Sequence, residues 1–266
     1  MRLLKCTEDG HISLTRDLYD NERPPYAILS HTWAQDESEE VTLSEVETIE
    51  GREKPGYGKI RFCAEQARKD GISHIWVDTC CIDKTNNVEL NEAITSMFRW
   101  YQEAIKCYVY LPDVSCLQQN DQADAYAIWG PQFRASKWFT RGWTLQELLA
   151  PKSVEFFSHE KILLGDKNAL AQQIREVTSI PVSVLYNTSF GHFSILERMR
   201  WAEKRQTKKP EDRAYSLLGI FDVSIPVVYG EGEKNAFRRL QRELQERPGK
   251  KVTFHSNGQK VDLLDD

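Results

Sequence analysis

Long apolar runs are missing from this chain. Nowhere does it hold the ~18 consecutive apolar residues that a membrane-spanning helix needs, and its start, Met1-Arg-Leu-Leu-Lys-Cys-Thr-Glu8, lacks the extended apolar core and cleavage site of a secretory signal. The expectation is a cytoplasmic protein with no membrane span. An excess of positive charge is missing too, since 35 basic side chains against 40 acidic ones leave −5. That balance argues against a nucleic-acid binder held chiefly by phosphate neutralisation. The six cysteines, at positions 6, 63, 80, 81, 107 and 116, form no C-x-x-C and have no histidine partners at zinc spacing. They read as reduced thiols in a core, and no metal site is expected. The patterns G-x-x-x-x-G-K-[ST], G-x-S-x-G and H-E-x-x-H are all absent, which removes the main support for phosphate-loop, serine-hydrolase and zinc-peptidase chemistry. Gly56-Tyr-Gly58 and Gly230-Glu-Gly232 begin a G-x-G but lack its third glycine, so turn glycines are the plainer reading.

What is present is ordinary globular material: 266 residues, 40% hydrophobic, with seven Trp and eleven Phe. A chain of this size buries roughly 70 to 75% of its open surface on folding, and needs no disulfide or metal staple. Tyr26-Ala-Ile-Leu-Ser30, His74-Ile-Trp-Val-Asp78, Lys106-Cys-Tyr-Val-Tyr-Leu111 and Ser153-Val-Glu-Phe-Phe157 read as buried strands. Between them, Ile60, Cys63, Ala64 and Ala67 recur at helical spacing and stop at Gly71, and Leu90, Ala93, Ile94, Met97, Phe98 and Tyr101 do the same. Strand and helix in alternation predict an α/β fold with a parallel sheet. Beyond Leu164 helices alone are expected, about 168–177, 195–204, 211–218 and 231–246. The expected division is an α/β core over 1–158, a helical extension over 159–246 and a flexible tail or linker over 247–266.

Several residues at the ends of these strands carry chemistry. His31 follows its strand directly, although a lone histidine is more often a packing residue. Trp33 beside it offers a flat face for a ring, against the commoner fate of a core aromatic. Asp78 and Asp83 lie where a strand meets its loop, the place where open α/β sheets put ligands, and can grip ribose hydroxyls or a basic partner. Cys80-Cys81 lie there too, but buried thiols have raised pKa values and favour packing. In Arg141-Gly-Trp-Thr-Leu-Gln-Glu-Leu-Leu149, Trp143 and Glu147 are four apart and share a helix face, so an indole lies beside a carboxyl whose pKa it can raise. The same stretch also fits a capping box, Thr144-x-x-Glu147, with Glu147 tied back to the Thr144 amide. From spacing alone the cap is the plainer reading.

Three blocks, Tyr26-Ala-Ile-Leu-Ser-His-Thr-Trp33, Gly71-Ile-Ser-His-Ile-Trp-Val-Asp-Thr-Cys-Cys-Ile-Asp-Lys84 and Ser136-Lys-Trp-Phe-Thr-Arg-Gly-Trp-Thr-Leu-Gln-Glu-Leu-Leu-Ala-Pro151, closely resemble the fungal heterokaryon-incompatibility (HET) domain. Arg198–Ala202, Glu211–Gly219 and Val228–Gly232 resemble that family's C-terminal extension. The resemblance implies a cytoplasmic protein of non-self recognition whose activation kills the cell, with an upstream receptor protein as a partner. HET domains in turn resemble Toll/interleukin-1 receptor (TIR) domains, a flavodoxin-like fold that in several branches cleaves NAD. Carried over on that likeness, Glu147 is the catalytic carboxylate, Ser30, His31, Trp33, Asp78 and Trp143 surround a nucleotide, and NAD is a substrate with no resident cofactor. The likeness also implies self-association into homo-oligomers. The sequence departs from the TIR pattern in its large extension after Ser158 and in Thr144, where many TIR domains have Cys. A non-enzymatic adaptor that signals by self-association is the alternative.

Overall fold

The computed structural model describes residues 1–117, 125–246, 254–256 and 259–261. Seven strands form one mixed sheet: β1 (Leu4–Cys6), β2 (Ile12–Leu14), β3 (Ala27–His31), β4 (His74–Trp76), β5 (Lys106–Tyr110), β6 (Val154–Phe157) and β7 (Leu163–Asp166), in the order β2-β1-β4-β3-β5-β6-β7. The β3–β4, β3–β5 and β5–β6 pairs are parallel, and β1–β2, β1–β4 and β6–β7 are antiparallel. The α/β fold expected from the sequence is therefore present, with a parallel centre and an antiparallel edge on either side. Taken in chain order, the four parallel strands stand second-first-third-fourth, the order of a flavodoxin-like sheet. β3 is buried along its whole length, as an unbroken apolar run at the centre of a parallel sheet must be.

Eleven helices accompany the sheet among the described residues: α1 (Ile49–Glu53), α2 (Tyr57–Lys69), α3 (Asn87–Glu103), α4 (Ala125–Ala135), α5 (Thr144–Leu149), α6 (Ala171–Thr178), α7 (Val182–Leu185), α8 (Ile195–Arg200), α9 (Asp212–Tyr215), α10 (Leu218–Phe221) and α11 (Glu233–Glu246). α2 buries Ile60, Cys63, Ala64 and Ala67, the stripe read from spacing, and the chain leaves it through Gly71 at φ +73°. α3 starts where the Asn86 side chain accepts the Val88 and Glu89 amides. It buries Ala93, Ile94, Met97, Trp100 and Tyr101. Behind β6 an aromatic web of Phe133, Trp138, Phe139 and Phe156 packs mostly edge to face.

The opening segment holds a hairpin, β1 and β2, whose three-residue strands are too short to show alternation in the sequence. The expectation of helices alone past Leu164 is corrected by β7, which pairs with β6 across the end of the core segment. Gly219 lies inside α10, where an added Cβ would stand 2.1 Å from the Phe98 ring, so the glycine lets α10 press onto α3. In the tail, Phe254–Ser256 pairs antiparallel with Gln259–Val261, and the rest of 247–266 lies outside the described residues, as does part of the polar loop after Ser115. No helix among the described residues is long and apolar enough to cross a membrane.

Candidate active site at the carboxyl end of the sheet

Chain connections leave β3 toward β4 on one side and later return to place β5 on the other. The carboxyl ends of β3 and β5 thus form the switch point at which open α/β sheets bind ligands. Ser30 and His31 close β3 at that point, and Asp78 follows β4 by two residues. Ser30, with no exposed surface, donates its hydroxyl hydrogen to Glu147 Oε2 and accepts the Trp138 indole N–H at 2.8 Å. His31 Nε2 lies 3.0 Å from Asp78 Oδ1, and the Trp33 indole donates to Asp78 Oδ2 at 2.8 Å. Ser30 with Glu147 of α5, and His31 and Trp33 with Asp78, therefore form two hydrogen-bonded groups that start from neighbouring residues at the end of β3.

The capping box expected for Thr144 and Glu147 does not form. The Thr144 hydroxyl donates instead to the carbonyls of Trp138 at 2.6 Å and Arg141 at 2.9 Å. Its oxygen also accepts from Arg205 Nη1 at 2.8 Å. With that hydroxyl held by the loop beneath α5, Glu147 turns to Ser30, which stands across the sheet end. The Trp143 indole donates to Asp212 Oδ2 at 3.1 Å, and Tyr229 donates to Asp212 Oδ1 at 2.9 Å, which ties the start of α5 to the extension. Asp83 stays out of the cluster, accepting the amide and hydroxyl of Thr85 in its own loop. Cys80 is a buried thiol whose pKa burial raises well above the ordinary value, which fits packing.

Glu147 is only 7% exposed. Burial pushes its carboxyl up to about 8; the Asp78 charge adds to this, while the Ser30 hydrogen bond, the Arg141 charge and Tyr101 pull the other way. Asp78 goes the other way. Burial would raise it, but the hydrogen bond and charge of His31, the Lys84 charge and the Trp33 indole together hold it well below the usual carboxylate range. Two neighbouring acids are thus driven apart in pKa, the pattern that lets one carboxyl carry a proton while the other stays ionised.

Three residues that the sequence did not mark complete the surroundings. Trp138 supplies the donor that orients Ser30. Arg205, from the extension, is 5% exposed and reaches Arg141 O and Thr144 Oγ1 at 2.8 Å each. Lys84 stands over the Trp33 ring, 3.7 Å from its centroid. The one sequence signal for the Arg205 contact is Gly142: its amide donates to Gln206 O at 2.8 Å, and an added Cβ would meet Thr207 Cγ2 at 2.4 Å. His31 Nδ1, Gln146 Nε2 and Arg205 Nη2 are buried without a hydrogen-bond partner among the described residues. Such orphans call for an explanation, and a ligand is one. No group of three or more His, Cys, Asp or Glu gathers as a metal site among the described residues. A cavity of about 580 Å³ lined by Met1, Tyr19, Glu92, Arg99 and Trp100 contains none of the cluster.

The strand order and the strand-end cluster together define a doubly wound α/β protein with an acidic centre at its switch point. Residues 26–126 match the family model described as Heterokaryon incompatibility protein (HET), and the chain carries the domain of the heterokaryon incompatibility (HET) family. Over 244 residues it is 53% identical to the Vegetative incompatibility protein HET-E-1 of Podospora anserina, an overlap that spans 92% of this chain and 18% of that relative. No solved structure matches the chain.

Proposed function

We propose that this chain is a cell-death effector domain of fungal incompatibility that cleaves NAD at the nicotinamide–ribose bond when assembled into oligomers in the cytoplasm, downstream of a receptor. The observation that carries the reading is a carboxyl at the switch point that is left free of helix capping and held by a neutral hydroxyl, Ser30. The TIR likeness of Trp143 and Glu147 and the orphaned donors around α5 support it.

In this reaction the ionised form of Glu147, the minority form below about 8, accepts the ribose hydroxyls beside nicotinamide and stabilises the oxocarbenium-like transition state. The bond from C1′ to the ring nitrogen breaks, its electron pair leaves with the ring, and nicotinamide departs neutral. Water then attacks C1′ and gives its proton to solvent, leaving ADP-ribose; attack by the adenine instead gives a cyclic product. Ser30 and Trp138 fix the carboxyl, and the ionised Asp78 favours the positive charge that develops on the sugar.

A second reading, a non-enzymatic adaptor that passes on a death signal by self-association, is favoured by the closure of the site, since Glu147 is only 7% exposed. The two are separated by incubating concentrated full chain with NAD. Enzyme predicts NAD loss that Glu147→Ala abolishes together with toxicity in cells. Untouched NAD, with Glu147→Ala still toxic, leaves only the adaptor.

A further inference from the structure

Around the acidic centre stands a rim of cations whose charges are not all neutralised. Lys84 Nζ and Lys208 Nζ lie 3.7 and 5.8 Å from the centroid of the Trp33 ring, and that ring is fixed by its bond to Asp78. Lys208, from the extension, is paired with Glu37 Oε1 at 2.6 Å. Lys84 and Arg141 are different. Both are half-buried, and among the described residues neither side chain has a hydrogen bond or an ion pair; Lys84 has only the face of Trp33.

The nearby acids do not supply the missing partners. Asp78 is taken by His31 and Trp33, Glu37 by Lys208, and Glu147 by Ser30. Yet Lys84 stands over the Trp33 ring that bonds Asp78, and Arg141 lies in the loop entering α5, which carries Glu147, so the two cations flank the same centre; their charges are accordingly felt at Asp78, Glu37 and Glu147. Burial lowers the Lys84 ammonium, and the charges of Asp78, Glu40 and Glu37, which pull the other way, offset that only in part. Arg141 is fixed at its root, since its carbonyl is held by Thr144 Oγ1 at 2.9 Å and Arg205 Nη1 at 2.8 Å. Its guanidinium is a fork suited to phosphate oxygens, and Lys84 is a point charge.

The geometry points to a phosphate subsite: Lys84 and Arg141 bind the diphosphate of a nucleoside diphosphate group, two unneutralised cations meeting two adjacent phosphates, with Trp33 holding Lys84 in place. This rests on the nucleotide reading above and adds which part of the substrate the rim recognises. A nucleoside without phosphates would lack this anchor.

Calorimetric titration of the full chain with ADP, AMP and adenosine tests it. ADP is expected to bind at least about tenfold more tightly than adenosine and to weaken as salt is raised. Lys84→Met and Arg141→Met should each weaken ADP by about tenfold and leave adenosine alone, while Lys84→Arg keeps most of the ADP affinity. Equal binding of ADP and adenosine, or no salt dependence in the unaltered protein, overturns the proposal even if a variant fails to fold. So does a double variant with an unchanged melting temperature that binds ADP as before. If ADP binds as expected and NAD stays intact, the enzymatic reading falls and the subsite stands. If NAD is cleaved and both variants keep the same KM, the subsite falls and the enzyme stands.

Discussion

The sheet and the C-terminal extension bury charge in different ways. At the sheet's end the buried groups are acids met by side chains: Glu147 by the Ser30 hydroxyl, and Asp78 by the Trp33 indole and the His31 ring. In the extension, beside the buried acids Glu211 and Asp212, three buried cations are met largely by carbonyls. Lys167, 2% exposed, donates to Pro151 O at 2.7 Å and to Asn187 Oδ1 at 3.1 Å, with Leu148 O at 3.5 Å. Arg205 reaches Arg141 O and Trp201 O, and Arg198 reaches Ile220 O. Carbonyls belong to the backbone, so those cations tie chain to chain. Arg205 grips the segment entering α5 and Lys167 the segment leaving it. The acids have no such fixed duty and are left able to change protonation. Reactive charge sits on the sheet, and structural charge comes from the helices that hold it.

The largest expected effect lies with Glu147. A carboxyl that titrates near 8 in the fold and at 4.5 in the open chain binds its proton more tightly when folded, so its stabilising contribution is full below about 4.5 and is lost as pH rises to about 8. The loss across that window is on the order of 5 kcal/mol. Urea unfolding at a series of pH values should show this decline, and Glu147→Gln should flatten it. An unchanged slope in the variant would break the contrast between acids that titrate and cations that tie.

Lys167 has the opposite sign. Burial lowers its ammonium from 10.5 to about 8, so the folded state is disfavoured by carrying that charge below about 8 and is relieved as pH climbs to 10.5. Stability should rise through that alkaline window by about 3 kcal/mol from this group, and Lys167→Met should remove the rise. The same series of unfolding curves, extended to high pH, measures it. The smallest effect is expected from Trp138→Phe, which keeps the aromatic web and deletes the donor to Ser30. A loss of about 1 kcal/mol in chemical denaturation would sharpen the comparison by showing that a neutral donor supports the acid; no loss would place the orientation of Ser30 elsewhere.

The sequence revealed the central sheet because β3 through β6 are β-branched and aromatic runs set between helices of clear period. It also revealed Ser30, His31 and Asp78, because a strand's end can be located from its apolar run. It did not reveal which way Glu147 turns. Thr144 and Glu147 satisfy the cap spacing, and only the loop carbonyls of Trp138 and Arg141, competing for the Thr144 hydroxyl, decide against the cap. The partner of Trp143 was hidden for a related reason: helical spacing gives a shared face with Glu147 but says nothing of Asp212, 69 residues further on, which takes the indole. Arg205 lies in a polar stretch without periodicity, and its burial is a tertiary fact that no local window contains.

Gly142 joins its amide to Gln206 through main-chain atoms, and Gln206 returns its own amide to Thr140 O. A seam of this kind is stitched by the peptide groups themselves, so drift among the surrounding side chains leaves it intact while a single methyl at position 142 would pry it open. The loop that leads into α5 and Glu147 is therefore completed only when residues more than sixty positions later have been made and folded back. A fragment released at residue 158 would expose the underside of α5, and the two stretches are expected to melt together in one cooperative transition.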